Sequence, residues 1–320
     1  IGEYRLSENV GTLTNLPLDT GVPQSGQIKF SDFYSKRLNQ VVDLYSIGNN
    51  SSRQVAKDRW NNGNVHIVGS TKTTKTQPPD TVDDRVIINV NATIRSVKGT
   101  QTHCALRTGN WDSGTVLEIE IGTSGKLYGS GGNGGNGGSA NETAGTNGQT
   151  GSSALGIEYP CSINNLGIIQ SGYGGGGGGG GNTRTTGGGK KSGATTNGSS
   201  GGGGGGGAGL PAGDAGGVQT PLAVGGGSAG SAGQAGSLSG QASGGAGGSE
   251  AGTGGNSSPV NNSASKANDG GIYSSDGSQQ SANGGIGGSN GYAIITNQGS
   301  APSLSGGGVT GRTITSTNPT

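Results

Sequence analysis

The sequence predicts a mainly β protein: a small N-terminal antiparallel β-domain with one helix, followed by a Gly-rich module of short β-strands and packed polyglycine II helices. Three observations lead there. Glycine accounts for 76 of 320 residues, against a usual share of about 7%. The glycines are segregated, with ten in residues 1–121 and the other 66 in residues 122–320. The first part also carries Val- and Ile-rich segments of period two, which argue for half-buried strands. The division falls near Gly122, giving expected domains at 1–121 and 122–320.

Residues 1–26 read as extended, with turn signals from Asn15 to Pro17 and from Thr20 to Pro23. Ser31 can cap a helix whose first turn carries Asp32. Phe30, Phe33, Tyr34, Leu38, Val41 and Val42 recur at three- and four-residue spacing, which is one apolar helix face. Strands follow. Val65 and Ile67 flank His66; Val86, Ile88, Val90, Ala92 and Ile94 alternate with Ile87, Asn89, Asn91 and Thr93. Leu117, Ile119 and Ile121 alternate with Val116, Glu118 and Glu120.

The second part holds the tract from Gly131 to Gly138 with Asn133 and Asn136 in it, then unbroken glycine from Gly174 to Gly181 and from Gly201 to Gly207. A flexible linker is the simplest reading of such tracts. Ordering them is costly, because glycine loses more backbone freedom than any other residue. Collagen is ruled out, since Gly is not strictly every third residue and Pro is scarce. Threefold polyglycine helices offset the cost, because rods without side chains pack closely enough to bond neighbours on several sides. A weak repeat supports regular construction: Ile121 to Gly132, Ile163 to Gly174 and, more loosely, the segment from Tyr292 to Gly308 each run from short apolar strands into a Gly tract.

Composition excludes several functions. The net charge is +1 and 12% of residues are charged, so no bulk field draws nucleic acid or an anionic membrane. No stretch reaches the roughly 18 apolar residues of a membrane span. Ile1 to Arg5 do not read as a secretory signal. Cys104 and Cys161 are too few for a disulfide framework and are expected as free thiols.

The search for chemistry finds no cofactor site. Gly-x-Gly-x-x-Gly matches arise from composition and lack a strand-to-helix setting. The stretch from Gly187 to Gly193 misses a phosphate-binding loop, because Lys191 stands where Ser or Thr must follow Lys190. His66 and His103 make no zinc spacing with the cysteines. Glu118 and Glu120, two apart on a strand, point the same way about 7 Å apart, a glycosidase-like separation. With aromatics at 4%, an aromatic-lined cleft is not expected, and the pair reads as a strand face. The protein is therefore expected not to be an enzyme.

The segment Ser25 to Tyr34 (SGQIKFSDFY) is similar to one near the start of Gly-rich virion structural proteins of tailed marine bacteriophages. The segment Gly284 to Ile295 (GGIGGSNGYAII) resembles their glycine tracts. The layout also resembles polyglycine-sandwich tail-fibre adhesins. That resemblance implies a virion protein assembled in the host cytoplasm, with residues 1–121 attaching it to other virion subunits and residues 122–320 projecting. Phe30, Phe33, Tyr34 and Leu38 become the candidate subunit-docking helix. Loops near 139–153, 182–200 and 256–283 become candidate contacts to a host-surface glycan or outer-membrane protein, with Tyr173, Arg184, Lys190 and Lys191 as the first residues to examine. Tyr173 reads equally as an exposed contact or as a packed residue at the mouth of the lattice. A homotrimer suits a fibre, although no heptad repeat demands it. The competing readings are a purely architectural head-fibre, collar or baseplate part, and a polysaccharide depolymerase.

Overall fold

The computed structural model describes residues 7–18, 25–33, 39–68, 85–141, 143–186, 195–225, 229–237, 268, 277–297, 300–315 and 319–320. The chain opens with an antiparallel hairpin of β1 (Ser7–Val10) and β2 (Leu13–Pro17). Gly11 makes its turn at φ 59°, where a Cβ would run into the Tyr45 ring and the Asn89 amide. A one-turn 3-10 helix follows at Phe30–Phe33. Next come β3 (Gln40–Leu44), β4 (Gln54–Val55), α1 (Ala56–Asn61) and β5 (Val65–Ile67), the last antiparallel to β3.

From here the chain coils. β6 (Arg85–Val90), β7 (Thr93–Arg95) and β8 (Cys104–Arg107) enter three different sheets. β9 (Val116–Ile121), β10 (Lys126–Tyr128) and β11 (Ser153–Ile157) repeat the circuit one level on. β12 (Cys161–Asn165) and β13 (Ile168–Gln170) start a further circuit. A long insertion then carries β14 (Asn182–Thr186), β15 (Thr195–Ser199), β16 (Ala223–Val224) and β17 (Gly277–Ser281). β18 (Tyr292–Thr296) completes the interrupted circuit, and β19 (Ser303–Gly306), β20 (Val309–Thr310) and β21 (Arg312–Thr315) make the last one. With β3, the Ser51–Ile94 bridge and β4 as the first level, the body is a three-sided parallel β-solenoid of five coils.

Its core is a set of in-register apolar stacks. Val42, Ile88, Ile119, Ile163 and Leu304 align on one side, and Ile94, Leu127, Ile169 and Val309 on the second. Leu106, Leu155 and Ile294 align on the third. α1 closes the first coil with buried Ala56 and Trp60. Trp60 meets Trp111 edge-on, with ring centroids 5.8 Å apart, and donates its indole N–H to Gln40 Oε1 at 2.8 Å. Outside the first two coils, the hairpin covers Val41 and Ile87 with Val10, Leu16 and Leu18. Burial on both faces is why β6 reads as a continuous apolar run.

Among the described residues the chain is mainly β with one short α-helix, as expected, and three details differ. Antiparallel pairing holds for β1–β2 and β3–β5, while the strands that carry the core pair in parallel. Period two reports which face is buried and is silent on the direction of the neighbour. Of the predicted helix after Ser31, the described residues hold a 3-10 turn at Phe30–Phe33, while Val41 and Val42 lie on β3. Their β-branched side chains fit a doubly covered strand. Tyr34 and Leu38 lie outside the described residues. The α-helix forms instead at Ala56–Asn61. Finally, residue 122 is not an edge between sheets: β10 to β13 and β18 to β21, beyond it, share the three sheets of β6 to β9. The long glycine tracts fill only the corners that join the second sheet to the third.

Candidate functional site

Two corners are expanded. Residues 129–152 leave between β10 and β11, and residues 171–291 between β13 and β18. Both expansions are built from extended rods whose backbone donors recur every third residue. Gly132, Gly135 and Gly138 donate to the carbonyls of Tyr173, Gly176 and Gly179 at 2.7–2.8 Å. Gly175, Gly178 and Gly181 donate to Gln149, Thr146 and Thr143; Gly204 and Gly207 donate to Gly135 and Gly132. A threefold backbone presents its N–H groups at that period.

Seven rods are traced among the described residues, at 129–139, 143–152, 172–181, 200–209, 211–218, 229–237 and 282–291, numbered 1 to 7 in chain order. Their bonds arrange them as a two-layer slab. Rods 2, 1 and 5 lie side by side over rods 7, 3, 4 and 6, each of the three seated in the groove between two rods of the four. Rods 3 and 4 are buried along their length and are unbroken glycine from Gly174 to Gly181 and from Gly201 to Gly207, with Tyr173 and Ala208 bonded to each other at the base. In rod 1 Ser130, Asn133, Asn136 and Ser139 replace every third glycine; Asn133 and Asn136 lie on its open face, and Ser130 and Ser139 at its two ends are buried. Asparagine side chains finish the backbone bonding: on rod 1 Asn133 Oδ1 accepts from Asp214 N–H at 2.9 Å and Asn136 Oδ1 from Gly217 N–H at 2.8 Å, and on rod 7 Asn290 Oδ1 accepts from Gly174 N–H at 2.9 Å.

The slab is seated on the corner loop 96–103 of the solenoid. Lys98 Nζ reaches Asp214 at 2.7 Å and Asn133 at 2.9 Å, and Gln101 donates to the Asn290 carbonyl. Rod 3 leaves this base and runs outward roughly 25 Å at about 3.1 Å per residue. At its far end it becomes β14. There β16, β15, β14 and β17 form a four-stranded antiparallel sheet in that order. The turn joining rods 1 and 2 reaches the same end, where Ala140 N–H donates to the Pro221 carbonyl at 2.8 Å. Ser139 N–H donates to Thr143 Oγ1, which donates on to Ser139 Oγ. The sheet strands are rich in Thr, Asn, Gln and Ser, with Arg184 their one charged residue. Such side chains both donate and accept, as recognition of a hydroxyl-rich or main-chain surface requires.

Of the candidate contacts, Arg184 lies on β14 at this far end. Tyr173 is packed at the base of rod 3, 6% exposed, with its phenol pushed up by burial. Of its two readings, the structure takes the packed one. Lys190 and Lys191 lie outside the described residues, as does most of 256–283 apart from Asn268 and 277–283. Residues 143–152, expected as loop, are rod 2, and only the turn before them reaches the far end. The docking candidates are split: Phe30 is 88% exposed and Phe33 shares its 3-10 turn.

Glu118 and Glu120 share the outer face of β9, beside Ser162 and Asn164 of β12. Arg85 grips Glu118 with two hydrogen bonds of 2.9 and 2.7 Å. Burial raises the Glu120 carboxyl, against the hydrogen bond it accepts from Asn164 at 2.8 Å. These bonds tie β9 to its neighbours β6 and β12 across the sheet's outer face. Among the described residues no group of His, Cys, Asp and Glu is arranged to hold a metal, and no helix is long and apolar enough to cross a membrane.

Cys104 and Cys161 are free thiols on β8 and β12, both pushed up to about 12 by burial. The folded chain keeps these protons where an unfolded thiol, near 8.5, loses them. Their contribution to stability is therefore complete below about pH 8 and declines above it. At pH 8 the native protein is expected to resist a thiol-specific disulfide reagent until denaturant unfolds it. Fast native labelling of both cysteines would contradict this packing.

A family model for the phage tail fibre adhesin Gp38 matches residues 59–318. No curated protein matches. Among solved structures, the gp37-gp38 adhesin tip complex of the bacteriophage S16 long tail fiber is similar, with a TM-score of 0.40 and 19% identity over 90% of this chain and 87% of that one.

Proposed function

The chain belongs to the phage tail fibre adhesin Gp38 family, and on that premise we propose that its host contacts are made at the far end of the glycine slab. Its work is host-surface adhesion by a tail fibre, as a component of the virion. The observation that carries the placement is the convergence of the turn at Ala140, β14–β15 and β17 at the end of the slab remote from the solenoid. The turn between β14 and β15 (187–194, with Lys190 and Lys191) and the segment ahead of β17 are then the parts free to vary without disturbing a rod. A glycan or the loops of an outer-membrane protein suits the Thr-, Asn- and Gln-rich strands and Arg184.

Other virion subunits are the partners of the opposite part, the solenoid, and Phe30 is one exposed side chain available to them. The division of labour expected at residue 122 runs instead between coils and rods. The glycine slab acts as a stiff spacer, because backbone bonds on several sides leave it no soft joint.

The test is binding of the full chain to candidate host cells, beside a variant in which 187–194 is replaced by a short Gly/Ser turn. A depolymerase would instead release sugar fragments from host polysaccharide and lose that activity in Glu118→Gln.

A further inference from the structure

The outer face of the first sheet changes character along the solenoid axis. One outward row runs Val41, Ile87, Glu118, Ser162 and Ser303, from β3 to β19. Its first two members are apolar and lie under the hairpin. The other three are polar and lie beyond it. The next outward row continues through Asn89, Glu120, Asn164 and Ser305. Where the hairpin stops, two hollows meet at Glu120. The larger, about 500 Å³, has β12 as its floor between β9 and β19. The smaller, about 180 Å³, is walled by Thr12 and Leu13 of the hairpin turn and by Leu166, which is 61% exposed. Asn89 ties the wall to the floor: its Oδ1 accepts from Thr12 Oγ1 and its Nδ2 donates to the Val10 carbonyl, both at 3.2 Å.

We propose that the joined hollows are a binding groove for an uncharged polysaccharide of the host surface, a site separate from the far end of the slab. The proposal rests on the reading of the chain as a host-surface adhesin and is independent of where its other host contacts lie. Adjacent strands lie about 4.8 Å apart, and alternate residues of one strand about 7 Å. Hydroxyl, amide and carboxylate groups therefore recur in a grid whose pitch is comparable to a sugar ring, on a floor braced by hydrogen-bonded strands. Ser162 and Ser303 are exposed, and a hydroxyl both donates and accepts, as a sugar hydroxyl does. Glu120 accepts the Asn164 amide at 2.8 Å, and a carboxylate has further lone pairs for a ligand. Leu13 and Leu166 supply apolar contact for the C–H face of a ring. Charge selects the ligand. Arg85 balances Glu118 through two hydrogen bonds, while no cation lines the groove beside Glu120. An acidic sugar is repelled there and a neutral one is not.

The experiment titrates the full chain by calorimetry with maltohexaose, chitohexaose and hexagalacturonate. Saturable binding of a neutral hexasaccharide and none of the acidic one is expected. Ser162→Lys fills the groove from an exposed position, and Asn164→Ala removes an amide from its floor. Each should weaken that binding at least about tenfold while melting like the parent and keeping the host-cell binding that depends on 187–194. The 187–194 replacement should bind the hexasaccharide as the parent does. Four results overturn the proposal: no binding of any of the three probes, preference for hexagalacturonate, undiminished binding in both folded variants, or loss of the hexasaccharide on replacing 187–194. None of them alters the outcome of the cell-binding test of the far end.

Discussion

Gly178→Ala is expected to destroy the glycine slab, whereas Gly217→Ala leaves it intact. A Cβ on Gly178 would overlap the carbonyl of Asn136 and crowd the Gly137 N–H, both of them backbone in a facing rod. Backbone cannot rotate aside as a side chain can. Yielding there would separate rod 3 from rod 1 and break the Gly135–Gly176 and Gly138–Gly179 bonds. Overpacking usually costs about 1–3 kcal/mol. Here it should reach or exceed about 3 kcal/mol, since the strain is shared by no flexible neighbour. At Gly217 the nearest atom to a new Cβ is Asn136 Oδ1 at 3.6 Å, an ordinary contact. There, restricting the unfolded chain is expected to leave stability equal or raised by about 0.4–1 kcal/mol. Thermal melting with hydrogen exchange of the 172–181 amides reads both. Equal melting temperatures for the two variants would remove the packed-rod account.

Trp60→Ala is the largest change expected in the solenoid. It empties the volume that α1 sets over the first coil, removes the edge contact to Trp111 and leaves Gln40 Oε1 without its indole donor. It also strips one of the two rings that Lys57 Nζ faces at 4.6 Å. Loss of a buried Trp costs about 3–5 kcal/mol. Denaturant titration should show a midpoint shift of that size. A change below about 1 kcal/mol would mean that α1 does not close the coil.

How much of this was legible in the sequence depends on what each pattern encodes. The strand at Leu117–Ile121 is plain in its alternation, because one buried face imposes it, and that at Val86–Val90 in its β-branched run, because both faces are buried. The parallel direction is not, since Leu117 and Ile163 read alike whichever way the neighbouring strand runs. The coil repeat is hidden by insertions: β10 and β11 are consecutive faces of one coil, yet 24 residues of slab, 129–152, separate them in the chain. The apolar spacing from Phe30 to Val42 reads as one helix face, yet Val41 and Val42 lie on β3, a strand covered on both faces, where adjacent apolar residues carry no helical period.

The slab was legible as glycine content, and its layering was present but unread. Glycine at all three positions of the period marks rods 3 and 4. Two in three mark rod 1, with Asn133 and Asn136 on its open face. One in three, at Gly145, Gly148 and Gly151, marks outer rod 2. The position of Tyr173 was beyond the sequence, because an aromatic before a glycine run packs or projects according to what lies beneath it. Arg184 came from charge in a polar segment, and its neighbours across β15 and β17 could only be supplied by the folded chain.

The central claim is that adhesion resides at the far end of the slab and is carried, not made, by the glycine rods and the solenoid. Its most direct test is saturable binding of the purified chain to host cells, parent against the 187–194 replacement, with the melting temperature of each recorded. The account predicts saturable binding by the parent and its loss in a variant that melts like the parent. Undiminished binding by the folded variant, with loss on changing the solenoid surface instead, would contradict it.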